Sequence, residues 1–251
     1  MPRYDFRTPR LFLEQPIEAG RSLELSRAQA NYLVNVLRLA GGEPVLVFNG
    51  RDGEWRAILR SGRKAVVLEV LDQTRPQAAA GDLEYLFAPL KHARLDYMVQ
   101  KAVEMGASRL VPVRTRHTQV RHLNLERMRS NAIEAAEQCG ILNLPQIAEP
   151  VSLDELVAGW TPTRLLVFCD EDAGTADPVA ALSPARSGGL VGALPVSLLV
   201  GPEGGFAEEE RKALAGLPNV IRLALGPRIL RADTAAVAAL ALVQAVLGDW
   251  R

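Results

Sequence analysis

The chain has 251 residues and a mass of 27.2 kDa, and 48% of its residues are hydrophobic. A chain of this length buries enough surface to fold without disulfides or a structural metal, and its two cysteines are too few for the disulfide framework of a small secreted protein. The 29 basic residues balance the 29 acidic ones. They are unevenly placed, however: residues 91–129 hold nine Lys and Arg against three acids, and residues 130–210 hold two against thirteen. The basic segment indicates either a surface that faces a polyanion or ordinary solvated helix faces.

Membrane insertion is not expected from the sequence. The longest uncharged run, residues 187–202, is interrupted by glycines and a proline. It is also shorter than the ~20 apolar residues that span a bilayer. The N-terminal residues carry charges where a secretory signal has an apolar segment. We therefore expect a cytoplasmic protein without a membrane partner.

Residues 1–75 are predicted to form a small β-rich domain with one helix. Ser26 and Gln29 form a capping box, and apolar residues at helical spacing carry the helix toward Gly41. The pair Asn49-Gly50 is typical of a hairpin turn between two strands. The predicted strands lie at residues 45–48, 55–59 and 65–71. We expect a compact barrel.

A change of pattern follows residues 74–81, which have no periodicity and mark the expected domain boundary. Strands are predicted at residues 83–89, 109–113, 165–168, 196–200 and 220–223, and helices at residues 94–105, 123–139 and 233–247. Ser152 and Glu155 cap a further helix. This alternation predicts an α/β domain with a mostly parallel sheet, and the apolar last helix is expected to be buried or to form a subunit interface. Residues 172–195, rich in Gly, Ala, Pro and Ser, are expected to form a surface loop.

The hexapeptide Gly201-Pro-Glu-Gly-Gly-Phe206 stands directly after an apolar strand and before an acidic helix start. Its glycines allow a ligand to approach the backbone, and ligands of open α/β sheets bind at the carboxyl ends of strands. Glu203 places a carboxylate in this loop. The alternative is a plain tight turn that leads into a helix.

A second unusual stretch, residues 223–236, follows the last strand and holds a Gly-Pro turn. Arg231 lies just outside the apolar last helix, where a guanidinium can hold an anionic or polar substrate edge. Asp233 or Thr234 could instead simply cap that helix. The common signatures of nucleotide hydrolases, dehydrogenases, zinc proteases and α/β-hydrolases are absent. The histidines and cysteines show no standard metal-ligand spacing, so no metal is expected.

Together these segments resemble the 16S ribosomal RNA (uracil-N3)-methyltransferases of the SPOUT superfamily. The resemblance rests on residues 201–206 and 225–235. It extends over nearly the whole chain through Asn35-Val-Leu-Arg38, Phe48-Asn-Gly50, Gln100-Lys-Ala-Val-Glu104-Met-Gly106 and Glu134-Ala-Ala-Glu-Gln138. The chain departs from the family pattern at Asn31, Ile141, Asn143 and Asp233, and the missing arginines at positions 141 and 143 weaken an RNA contact there.

The resemblance implies a PUA-like RNA-binding β-barrel domain at residues 1–75 and a SPOUT methyltransferase domain with a C-terminal trefoil knot at residues 82–251. It implies S-adenosylmethionine as cofactor, 16S rRNA as substrate and a homodimer. Carried over by position, the cofactor residues are Val200, Gly201, Pro202, Gly204, Leu225, Gly226, Ile229, Leu230 and Ala235. The basic residues expected to face RNA are Arg7, Arg10, Arg38, Lys91, Arg94, Lys101, Arg114 and Arg116.

Methylation of uracil at N3 requires removal of the N3 proton and stabilisation of the charge that develops on the ring. We expect Arg231 to hold the uracil edge and either Asp233 or Glu203 to orient or deprotonate it. Three alternatives stay open from the sequence: a methyltransferase for another RNA site, an RNA-binding ribosome-assembly factor with a vestigial cofactor pocket, and a small-molecule enzyme that uses an adenine nucleotide.

Overall fold

The computed structural model describes residues 5, 7–61, 66–120, 122–174, 177–186 and 195–250. The chain divides into two compact units, Met1–Ala79 with Ala136–Leu144, and Ala80–Ala135 with Pro145–Arg251. No pattern in the sequence indicates that residues 136–144 belong to the first unit. Within the described residues, no helix combines the length and the apolar character that crossing a bilayer requires.

The first unit contains one five-stranded sheet. Its strands are β1 (Arg10–Phe12), β2 (Ser22–Glu24), β3 (Pro44–Phe48), β4 (Glu54–Ser61) and β5 (Val66–Arg75). They lie in the order β1-β3-β4-β5-β2; among these described strands β1 and β3 pair parallel and the other neighbours pair antiparallel. The predicted hairpin is confirmed, because β3 and β4 pair antiparallel around the Asn49-Gly50 turn. Strands β1 and β2 were not predicted, since three residues are too few to show an alternating pattern.

The alternation along β4 shows how this sheet builds its core. Ala57 and Leu59 are fully buried, whereas Arg56 and Arg60 point to solvent. Side chains alternate between the two faces of a strand, so one face of β4 is apolar and the other is charged. The apolar face joins a cluster of Leu11, Leu13, Ile17, Leu23, Leu33, Val45, Val47, Leu68 and Val70.

The predicted helix of the first unit is shorter than expected. Ser26 caps α1 (Arg27–Asn31) through the expected capping box with Gln29. A π-helical turn, Tyr32–Val36, follows directly. The chain then turns at Arg38, whose φ of 58° lies in the left-handed region that non-glycine residues seldom adopt. The helix therefore ends before Gly41.

One buried ion pair links β1, β4 and β5. The Nε atom of Arg10 donates to Glu54 Oε2 at 2.9 Å, and both side chains are 4% exposed. Arg75 donates to the same carboxylate at 2.6 Å. Burial alone would raise the pKa of Glu54, but hydrogen bonds from Arg75, Thr74 and Arg10 lower this pKa below its ordinary value of 4.5.

The second unit contains a parallel sheet, as the alternation of strands and helices predicted. Its strands are β6 (Leu83–Phe87), β7 (Arg109–Arg114), β8 (Gln146–Ile147), β9 (Val151–Ser152), β10 (Leu165–Cys169), β11 (Val196–Val200) and β12 (Val220–Leu223). The order is β12-β10-β11-β6-β7-β8, and β9 also pairs with β7. All five residues of β11 are buried, as is typical of strands covered by helices on both faces.

The helices of the chain beyond residue 80 are α2 (His92–Glu104), α3 (Leu125–Cys139), α4 (Leu153–Ala158), α5 (Pro178–Arg186), α6 (Glu208–Ala215) and α7 (Ala232–Val246). Ser152 caps α4 through the predicted capping box with Glu155. Helix α7 packs against α2, α5 and β11. Its buried Gln244 donates from Nε2 to the carbonyl oxygen of Met105 at 2.7 Å, so the one polar side chain in its interior has a partner.

The expectation of a loop over residues 172–195 was wrong in part. Residues 178–186 form α5, and Leu182 on this helix is fully buried. The helix was missed because alanines, a serine and Pro184 obscure its short apolar face. Residues 175–176 and 187–194 of the expected loop lie outside the described residues.

Candidate active site

A cavity of about 500 Å³ lies at the carboxyl ends of three neighbouring strands. Strands β10, β11 and β12 are adjacent and parallel, so the segments that follow them meet at one edge of the sheet. The segment after β11 is the hexapeptide Gly201–Phe206, called here the glycine loop, and the segment after β12 runs from Leu225 to Ala235. This edge is where open α/β sheets bind their ligands.

The structure brings the two stretches singled out in the sequence to this one cavity. The predicted cofactor residues all line it: Val200, Gly201, Pro202, Gly204, Leu225, Gly226, Ile229, Leu230 and Ala235. Glu203 and Arg231 line it as well. Asp233 is not among the lining residues; its side chain is half-buried, and its Oδ1 accepts the backbone N–H of Thr234 at 2.9 Å.

The conformation of the glycine loop depends on two missing Cβ atoms. A Cβ at Gly201 would lie 2.8 Å from the Phe206 ring, and one at Gly204 would lie 3.3 Å from the Cβ of His117. The Phe206 ring is buried and packs edge-to-face on Phe168 at 6.1 Å between centroids. The loop therefore packs closely against the ring of its own last residue, Phe206, and a side chain at position 201 would clash with that ring.

His117 contacts the glycine loop, which the sequence analysis did not anticipate. Its Nδ1 lies 3.1 Å from the carbonyl oxygens of both Gly204 and Gly205. Carbonyl oxygens only accept, so Nδ1 carries the hydrogen and donates it. His117 follows β7 and the glycine loop follows β11, so no local sequence pattern could have indicated this contact.

The end of β10 supplies further residues that the sequence analysis did not assign, Cys169, Asp170 and Glu171. The Asp170 side chain is fully buried, and its Oδ2 accepts from Arg222 at 2.7 Å. Arg211 also lies near Asp170 and forms an ion pair with Asp172. Asp170 therefore fixes the end of β10 to β12 and α6. Its position directly after a predicted strand was the signal that could have identified it.

Two groups stay protonated at neutral pH, the Cys169 thiol, which is partly exposed at the cavity, and the buried Tyr85 hydroxyl. Burial, and then the charge of Asp170, raise the pKa of the Cys169 thiol to about 12. Burial also raises the pKa of Tyr85 well above its ordinary value, with smaller contributions from Cys169 and Asp233. Neither group is therefore available as a base or as a thiolate nucleophile at neutral pH.

Glu203 and Arg231 are two of the charged residues that line the cavity, together with Asp170, Glu171 and Arg228. Glu203 forms an ion pair with Arg94 of α2, and both side chains are about half exposed, at 49% and 41%. Arg231 is exposed at the residue before α7, and its carbonyl oxygen accepts the N–H of Ala235 at 2.8 Å. Among the described residues, no three His, Cys, Asp or Glu side chains lie close enough together to hold a metal ion.

The basic residues expected to face RNA differ in accessibility. Most are exposed: Arg7, Arg38, Lys91, Arg114 and Arg116. Lys101 is only partly exposed, and its Nζ contacts Glu104 at 2.7 Å. Arg10 was wrongly assigned to the RNA surface. Its guanidinium is buried against Glu54 and cannot reach a phosphate without breaking that pair.

Comparison with known proteins identifies the class of this fold and site. A family model described as the RNA methyltransferase domain matches residues 77–244, and one described as the RNA methyltransferase PUA domain matches residues 25–71. The parallel sheet with its glycine-lined cavity is thus that of a SPOUT-type RNA methyltransferase, joined to a PUA-like half-barrel.

The particular family follows from the full-length relatives. The chain is 28% identical to the ribosomal RNA small subunit methyltransferase E of Rickettsia conorii, with 94% of each chain covered. It is 33% identical to the protein of that name from Synechocystis sp., over 93% of this chain and 76% of the relative. The crystal structure of the Neisseria gonorrhoeae protein of that name, bound to S-adenosyl methionine, aligns with a TM-score of 0.83 at 25% identity over 98% of this chain and 100% of that one. The chain belongs to the ribosomal RNA small subunit methyltransferase E family, which confirms the resemblance seen in the sequence.

Proposed function

We propose that this protein methylates N3 of a uridine in 16S rRNA of the small ribosomal subunit, with S-adenosylmethionine as methyl donor. One observation carries the proposal: both glycine-containing stretches typical of the family line a single cavity at the carboxyl ends of β10, β11 and β12. The solved Neisseria gonorrhoeae relative, which covers 98% of this chain, is bound to S-adenosyl methionine.

The residues around this cavity suit S-adenosylmethionine. Its volume of about 500 Å³ lies within the range of about 300–1,000 Å³ found for small-molecule sites. Leu225, Ile229 and Leu230 offer apolar surface for an adenine ring, and the glycine loop exposes backbone donors and acceptors. We assign cofactor binding to Val200, Gly201, Pro202, Gly204, Leu225, Gly226, Ile229, Leu230 and Ala235. When bound, S-adenosylmethionine supplies an electrophilic methyl carbon and leaves as a neutral thioether.

The chain's own residues then have to activate uracil. The N3 atom carries a proton, and its lone pair becomes nucleophilic only when that proton leaves. Glu203 lines the cavity and Asp233 does not, so we assign Glu203 as the group that accepts the N3 proton. Arg231 at the cavity mouth holds the uracil edge, and its fixed positive charge stabilises the anionic ring.

We propose that residues 1–75 bind RNA and that residues 82–251 form the methyltransferase domain. Exposed or partly exposed arginines and lysines neutralise RNA phosphates, and the candidates are Arg7, Arg38, Lys91, Arg94, Lys101, Arg114 and Arg116. The affinity for RNA should therefore fall steeply as salt is added, with a slope set by the number of phosphate contacts. A flat salt response would instead favour the interpretation of these residues as solvated helix faces.

We propose further that the protein is a homodimer with a C-terminal trefoil knot, acting in the cytoplasm, where its ribosomal substrate is. The support for the dimer is exposed apolar surface in the second unit. Ile229 is 99% exposed at the cavity, and Trp250 and Tyr97 are 51% and 45% exposed. Apolar side chains that lie together in one exposed patch are typical of protein interfaces. Sedimentation measurements would test the dimer directly.

The test of the reaction is transfer of labelled methyl from S-adenosylmethionine to small ribosomal subunits that lack base methylation, followed by nucleoside chromatography. We expect label in 3-methyluridine. Label in another nucleoside would leave the assigned fold and methyl donor unchanged and would show that a different base is methylated. Binding of the donor without transfer to any subunit RNA would contradict the proposed substrate, and absence of donor binding would favour an assembly factor.

Arg231→Ala tests the assigned role of the guanidinium. We expect it to abolish transfer and to leave the affinity for S-adenosylmethionine nearly unchanged, because Arg231 is assigned to the uracil rather than to the donor. Arg186→Ala removes an exposed arginine of α5 that does not line the cavity and serves as the control; it should retain transfer. Normal turnover by Arg231→Ala would remove this residue from the mechanism.

A further inference from the structure

A second cavity of about 410 Å³ borders the glycine loop. It lies at the carboxyl ends of β6, β7 and β11, which are adjacent in the sheet. Its walls are formed after β6, after β7 and by the glycine loop, from Pro89, Leu90, Lys91, Ala93, Arg94, His117, Gln119, Val120, Pro202, Glu203 and Gly204. These last three residues also line the first cavity. The glycine loop therefore borders both cavities, with the Glu203 carboxylate available to each.

The chemistry of the second cavity suits an anionic ligand. Lys91 and Arg94 contribute two positive charges, and His117 and Gln119 contribute groups able to form hydrogen bonds. Helix α2 also begins at this cavity, with Lys91 as the residue before its first turn. A helix of this length directs free N–H groups and positive potential toward its N-terminus. Glu203 is the single acid among the residues that line this cavity.

We propose that the second cavity binds the target uridine as a nucleotide, with its phosphate on Lys91 and Arg94 and its base beside Glu203. The inference rests on the proposed function and specifies where its substrate is held. A uridine that reacts at N3 must leave its base pair, because N3 lies on the pairing edge, and an unpaired nucleotide needs a cavity of its own. The second cavity has the required size range and shares its wall with the proposed donor site.

A phosphate bound in the second cavity competes with Glu203 for the Arg94 guanidinium. Both side chains are about half exposed, and half-exposed ion pairs are weak. The phosphodiester of an RNA nucleotide offers Arg94 a bidentate partner, and Lys91, which lines the same cavity, adds a second positive charge that favours the phosphate. An arriving nucleotide therefore takes Arg94 from Glu203 and leaves the carboxylate free to accept the N3 proton. Lys91 and Arg94 are thus substrate-binding residues, and Arg94 also positions Glu203.

The test compares uridine 5′-monophosphate with uridine as ligands of the full chain, titrated by calorimetry in the presence of S-adenosylhomocysteine. Charge-assisted hydrogen bonds should make the nucleotide bind about tenfold or more tightly than the nucleoside. The Lys91→Met/Arg94→Met variant should bind both ligands equally while it retains the affinity for S-adenosylmethionine. Lys212→Met removes a charge from α6, outside both cavities, and should preserve the preference for the nucleotide.

Arg94→Lys keeps the positive charge and should retain part of the preference, which separates lost binding from misfolding. The proposal is overturned if the wild-type chain shows no saturable binding of uridine 5′-monophosphate, or if the double variant keeps the full preference. Failure of the wild-type chain to bind S-adenosylmethionine would instead contradict the proposed function. If the chain bound uridine 5′-monophosphate but not S-adenosylmethionine, the second cavity would still be assigned as a nucleotide site.

Discussion

Replacement of Gly201 by alanine tests whether the glycine loop is as tightly folded as the structure shows. The added Cβ would lie 2.8, 3.0 and 3.3 Å from three carbons of the Phe206 ring, whereas relaxed carbon contacts are about 3.5–4.0 Å. The ring cannot move away freely, because it is buried against Phe168. Overpacking of this kind costs about 1–3 kcal/mol. For a chain of this size that corresponds to a melting temperature lower by roughly 2–12 °C.

The assay is thermal unfolding by calorimetry, together with titration of S-adenosylmethionine. Gly174→Ala is the matched control, since no atom lies within 4 Å of its added Cβ and the site is exposed. A double-mutant cycle with Phe206→Leu should reveal a coupling of about 0.5–3 kcal/mol, because the smaller side chain makes room for the new methyl group. If Gly201→Ala unfolds at the same temperature as Gly174→Ala, and the cycle shows no coupling, the packing argument for this loop is refuted.

Three further predictions concern single side chains. The lowered pKa of Glu54 stabilises the first unit above pH 4.5, and that stabilisation should be lost as the pH falls through the lower folded-state value; in Glu54→Gln the acid-dependent decrease in melting temperature should shrink. Iodoacetamide at pH 8 should modify exposed Cys139 and spare Cys169, whose pKa is about 12, and equal rates at both would contradict this. His117→Ala removes the donor to two loop carbonyls and should weaken S-adenosylmethionine binding, whereas an unchanged Kd would show that His117 does not order the loop.

Most of the sheet of the second unit could be predicted from the sequence because its signals are local. Apolar runs marked β10 and β11, a run broken only by Arg222 marked β12, and the polar pair Ser152 and Glu155 marked the start of α4. The glycine loop was recognised because three glycines follow a buried strand directly. Strand order was not predictable in this way, since it depends on pairing between segments far apart along the chain.

What the sequence could not provide was contact between distant segments. His117 and Gly204 are 87 residues apart and meet only because their strands end at the same edge of the sheet. Arg10 resembled other surface arginines, and only its pairing with Glu54 shows that it is buried. The sequence left Glu203 and Asp233 as equal candidates for the group that orients or deprotonates uracil, and only the structure shows that Glu203 lines the cavity and Asp233 does not.

The first unit cannot fold completely until residues 136–144 have been synthesised, well after its first 79 residues. Its Phe12 N–H donates to Glu137 at 2.8 Å, and Arg75 donates to the carbonyl oxygen of Gly140 at 2.9 Å. After residue 79 the ribosome must add residues 80–144, which takes roughly 3–13 s at about 5–20 residues per second. During that interval β6, α2 and β7 are already made while the earlier unit still lacks its last segment. For the same reason, no single cut of the polypeptide yields both units intact.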